Sequence, residues 1–74
     1  MKWIRKSERL PEWNNSEVGK PCFVTVEGED GKRSVMIADF YAACRECHAV
    51  FGDEFGELEG VIAWAEVEPY KGEA

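Results

Sequence analysis

The clearest pattern along the chain is alternation. From Pro21 to Glu27, Cys22, Val24 and Val26 alternate with Phe23, Thr25 and Glu27, the period of two expected of a strand rich in β-branched and aromatic residues. Arg33 to Tyr41 repeats the pattern, and Gly28-Glu29-Asp30-Gly31-Lys32 between them carries the Asp-Gly pair of a tight hairpin turn. A further strand is predicted over Gly60 to Val67, ended by Pro69, which cannot donate to a ladder. Simple alternation along it places Val61, Ala63, Ala65 and Val67 on one face and Ile62 and Trp64 on the other. The segment before the hairpin reads as an edge strand at Trp3-Ile4 and then a polar loop, because Leu10 precedes Pro11 and Asn14-Asn15-Ser16 is turn chemistry. Ala42 to Glu59 is mixed: Ala42 to His48 tolerates a helical turn, Ala49-Val50-Phe51 suits a short strand, and an acidic loop punctuated by Gly52, Gly56 and Gly60 follows.

These elements predict a mainly β protein, a small antiparallel sheet or half-barrel of three to five strands with room for one short helical turn, in one domain over 1–74. Apolar residues on both sides of the strands suit a curled sheet, or a sheet whose second face meets another subunit. At 74 residues the chain buries only about 60% of its unfolded surface, too little for a wide active-site cleft with supporting walls. No run approaches the roughly 20 apolar residues of a membrane span, and Met1 to Lys6 lacks the apolar stretch of a secretion signal, so a cytoplasmic location without membrane contact is expected.

The net charge of -6 is unevenly spread. Lys2, Arg5, Lys6 and Arg9 face one acid, Glu8, at the start, whereas the rest of the chain is strongly acidic. Such a body repels phosphate backbones and disfavours nucleic acid as a partner; it serves as a solubilising surface or docks on a basic groove of a partner protein.

Candidate chemistry is sparse. Cys44-Arg45-Glu46-Cys47-His48 has the spelling of a c-type haem attachment, but neither export nor helical wrapping for a macrocycle accompanies it. Zinc is the better metal candidate, through Cys22, Cys44, Cys47 and His48, although adjacent Cys47 and His48 are an awkward ligand pair and only one distant cysteine completes the set. The commoner fate of such cysteines is to pack without a cofactor; a redox dithiol lacks the βαβ setting it needs, and with three cysteines a disulfide framework is not expected. His48 is the single histidine and has no evident orienting partner, so no catalytic set is assigned and an enzyme is not expected. Acidic pairs such as Asp53/Glu54 and Glu57/Glu59 lack calcium-loop spacing, and no phosphate-binding glycine loop is present. Trp3 and Trp64 are expected in the core, where a small domain needs large apolar groups, and Trp13 in its polar loop is the better candidate for an exposed anchor.

The start Trp3-Ile4-x-x-Ser7-Glu8-Arg9-Leu10-Pro11-Glu12 and the late Gly60-Val61-Ile62-Ala63-Trp64 resemble the domain of unknown function 551 family of small phage and prophage proteins. The family's late anchor usually reads Val-Thr-His-Trp, so Ile62 and Ala63 replace its Thr and His. The resemblance implies a small antiparallel β protein made in a bacterial cytoplasm and no assigned activity. Within it, Leu10-Pro11 forms a rigid corner with Trp64 as its lid. The functional reading expects a non-enzymatic phage accessory protein that binds a host or phage protein, with Trp13, Arg9 and Trp64 as contact residues. Two alternatives are a nucleotide-signal binder, oligomerised around Arg5, Arg9 and the tryptophans, and a zinc-stabilised mini-domain.

Overall fold

A computed structural model describes residues 2–67, so the expected stop at Pro69 lies outside the described residues. Six strands form one open antiparallel sheet: β1 Ile4–Arg5, β2 Lys20–Glu27, β3 Arg33–Tyr41, β4 Val50–Asp53, β5 Gly56–Glu57 and β6 Val61–Glu66. Their order across the sheet is β1-β6-β2-β3-β4-β5. The mainly antiparallel β expectation holds. The count exceeds the expected upper bound by one strand, because the acidic loop folds back on itself: Phe55 N–H donates to Asp53 Oδ1 (2.8 Å), Gly56 takes φ 118°, and β5 pairs with β4. No helical turn forms at Ala42 to His48, where Cys44 N–H donates to Cys47 O (2.9 Å), the reverse of helical polarity.

The hairpin β2–β3 pairs in unbroken register from Lys20 opposite Phe40 to Glu27 opposite Arg33. Its turn requires the positive φ of Gly31 (81°), cheap only for glycine. β6 pairs with the other edge of β2, and here the register shifts between Thr25 and Val26. This bulge overturns the simple alternation expected of β6: Trp64 lies opposite Val24 and Val61 opposite Val26, which puts both large residues on one face. Gly60 precedes the bulge at φ 81°, and a Cβ there would come within 2.5 Å of Glu27 O.

The core occupies that face. Ile4, Cys22, Val24, Ala38, Phe40, Phe51, Val61 and Trp64 form one buried cluster, with the Phe40 and Phe51 rings 5.1 Å apart. The loop of residues 6–19 covers it from Trp64 to the end of β3. Trp64 Nε1 donates to Arg9 O (2.8 Å), Pro11 is buried, and Ala42 N–H donates to Asn15 O (3.0 Å). Asn15 Oδ1 also accepts from the Glu17 and Val18 backbone N–H groups, an Asx turn that fixes the far end of the loop. Trp64 and the Leu10-Pro11 corner are thus brought together as expected, but the covering runs the other way: the loop lies over the buried indole, which donates to the backbone next to Leu10.

Candidate binding face

Cross-strand register divides the sheet into two working surfaces. The row Ile4–Trp64–Val24–Met36 points into the core, and the next row, Arg5–Ala63–Thr25–Val35, points to the opposite face. Beside it run Ala65–Phe23–Ile37 and the pair Glu27–Arg33. From Arg9 onward the covering loop lies on the core side, while its first residues, Lys6 and Ser7, stand at the outer face. Val35 and Ile37 are therefore 61% and 60% exposed despite sitting mid-strand with strong apolar character.

One end of this outer face is hollowed. Ala63 and Thr25 are too small to fill the space between the side chains around them, leaving an open cleft of about 960 Å³. Trp3, Arg5, Lys6 and Ser7 wall it on the β1 side, while Arg33 and Glu27 stand at the hairpin end. Three bases thus converge against one carboxylate in a chain whose net charge is -6. The ion pair Lys20–Glu66 (3.1 Å) and the contact of His48 Nε2 with Glu57 (3.6 Å) use none of these bases.

The structure redistributes the residues singled out from sequence. Trp3, expected in the core, is 39% exposed and faces the cleft, because Ile4 takes the inward position of β1. Trp64 is 1% exposed, so its place in the core holds and its place among contact residues does not. Arg9 does meet Trp64, with its guanidinium 5.9 Å from the ring centroid on the core side; its backbone N–H donates to Arg5 O (3.3 Å), but Arg5 lines the cleft and Arg9 does not. The cause is the turn after β1, in which Glu8 N–H donates to Arg5 O (2.9 Å) and carries the chain to the other side of the sheet. Trp13 is half-exposed on the loop, with its indole N–H committed to Val18 O (2.8 Å).

The cysteines divide in the same way. Cys44 and Cys47 are joined in one local disulfide, with Cα atoms 5.0 Å apart, in the exposed loop after β3, where no disulfide framework was expected. The backbone reversal there brings the two side chains together. Cys22 is fully buried in β2, its thiol donating to Lys20 O (3.4 Å), and burial raises its pKa against a smaller opposing effect of Lys20. The four residues considered for zinc are therefore not assembled as a set. Among the described residues no three His, Cys, Asp or Glu side chains come together as metal ligands. No helix among them is long and apolar enough to cross a membrane.

Sequence reasoning missed Lys6, Arg33, Ser7 and Thr25. The hairpin register could have put Arg33 beside Glu27 on the face opposite Val26, but nothing local to Arg33 links it to residues 3–7. Comparisons with protein-family models, with curated proteins and with solved structures give no match for this chain.

Proposed function

We propose that this protein is a non-enzymatic accessory protein of phage or prophage origin that works in a bacterial cytoplasm by binding another protein through the outer face of its sheet. The observation that carries the reading is the pair Val35 and Ile37, highly exposed at mid-strand on a face that the described residues leave largely open. Singly exposed apolar residues are ordinary, but here they adjoin Phe23 and lead into the cleft that Trp3 walls, and a contiguous apolar area of this kind characterises interaction surfaces. The bases at its end favour a partner whose matching surface is apolar with an acidic margin, since complementary charge steers encounter and fixes register. Phage origin is supported by the resemblance of Trp3 to Glu12 and of Gly60 to Trp64 to the family named above.

The test is capture of host or phage proteins on the immobilised chain, repeated with Val35→Glu/Ile37→Glu and, as a control on a distant surface, Phe55→Ser. Circular dichroism checks that each variant folds. The reading expects a partner retained by the wild type and by Phe55→Ser and released by the double variant. Equal retention by the double variant would overturn it, and loss of the partner with Trp13→Ala alone would move the contact to the loop.

A further inference from the structure

We propose that the cleft between Trp3 and Arg33 is a binding site for a nucleoside phosphate, a capacity that uses the bases at the end of the proposed partner face and can be measured without any partner. Arg5 and Lys6 come from the first strand and the turn after it, Arg33 from the far end of the hairpin, and the sheet register brings them to one cleft. Guanidinium groups present forked donors that match phosphate oxygens, and a lysine ammonium adds a mobile point charge. Ser7 and Thr25 supply hydroxyl donors in the same cleft without adding charge. Phosphate chemistry alone would need nothing more.

The aromatic wall extends the argument from an anion to a nucleotide. Trp3 borders the cleft with a partly exposed ring, and stacking on an aromatic side chain is how proteins hold a nucleobase irrespective of its identity. The volume of about 960 Å³ falls within the range of small-ligand sites. Glu27, the one carboxylate there, is an acceptor for ribose hydroxyls or base amino groups and sits opposite Arg33 in the ladder. Ligand length is limited by the rest of the molecule: beyond the cleft the net acidic chain repels a continuing phosphate backbone, which favours a mononucleotide over a strand.

The experiment titrates the purified chain with ADP and GDP at low salt, reading intrinsic tryptophan fluorescence and melting temperature. Pyrophosphate, adenosine and an oligo-glutamate peptide are run in parallel. Expected are saturable quenching and a raised melting temperature with at least one nucleotide. Quenching persists in Trp13→Phe and disappears in Trp3→Phe, and affinity falls at least about tenfold in Arg5→Ala and in Arg33→Ala, with partial recovery in Arg33→Lys. These side chains are exposed, and circular dichroism confirms that the variants fold. Pyrophosphate and adenosine should each bind at least about tenfold more weakly than the nucleotide, because each occupies half of the site. Absence of saturable binding by either nucleotide would overturn the proposal, as would arginine variants that bind like the wild type. Pyrophosphate or the glutamate peptide binding as tightly as the nucleotide would reduce the cleft to a general anion site and equally overturn it.

Discussion

The two faces of the sheet are built from alternate residues of the same strands and serve opposite ends. In the inward row Ile4, Trp64 and Val24 are buried beneath a loop that the chain itself provides, whereas one residue along, Arg5 and Val35 are exposed and Ala63 and Thr25 half-buried. The contrast lies in what each face has against it. The loop 6–19 is tied down at Arg9 and Asn15 on the core side, and no second loop among the described residues performs that service on the other. Among the described residues one face is covered by a loop and the other is left largely open, which is the surface the proposed functions use.

Substitutions that separate the faces are the most direct way to break this comparison. Trp64→Ala should cost about 3–5 kcal/mol by loss of buried area and creation of a cavity, enough to unfold much of the population in a urea titration, while Trp3→Ala should leave the midpoint nearly unchanged. If the two tryptophans cost the same, the division of faces is wrong. Gly60→Ala should cost roughly 1–3 kcal/mol, since it places a Cβ against Glu27 O at a positive φ, and thermal denaturation reads it directly. An intermediate effect comes from Cys22. Its folded thiol has a raised pKa, so the unfolded chain loses its proton first as pH climbs past the ordinary thiol range of about 8.5, and the stability present below that range is lost above it. Chemical denaturation from pH 7 to 10 should show this decline in the wild type and a flatter profile in Cys22→Ala. Ile37→Ser should change stability by no more than about 0.5 kcal/mol while weakening retention of the proposed protein partner. A large loss of stability instead would mean that the outer face is part of the core.

What was legible in the sequence follows from the range of the forces involved. β2 and β3 were read to within a residue because alternation and an Asp-Gly turn are local signals, and β6 was located for the same reason. Its facing was misread because the bulge opposite Thr25 and Val26 leaves no mark on alternation within β6 itself. β5 has two residues, Gly56 and Glu57, and no period to detect. The site suffered most. Arg9 was grouped with Arg5 because they are near in sequence, yet a single turn separates them across the sheet. Arg33 was overlooked because its neighbourhood to Arg5 exists only once β6 lies between β1 and β2.

That last placement also bears on the order in which the molecule can be made. Among the described residues the first strand has only β6 as its neighbour, and β6 is the last of the six to be synthesised. While the chain emerges, the β2–β3 hairpin can close, but the free edge of β2 has no mate and Ile4 has nothing to pack against until Trp64 arrives. For that interval the growing chain offers an unpaired strand edge and an apolar surface to whatever is nearby, which makes the final residues of the fold its safeguard against aggregation as well as its closing piece.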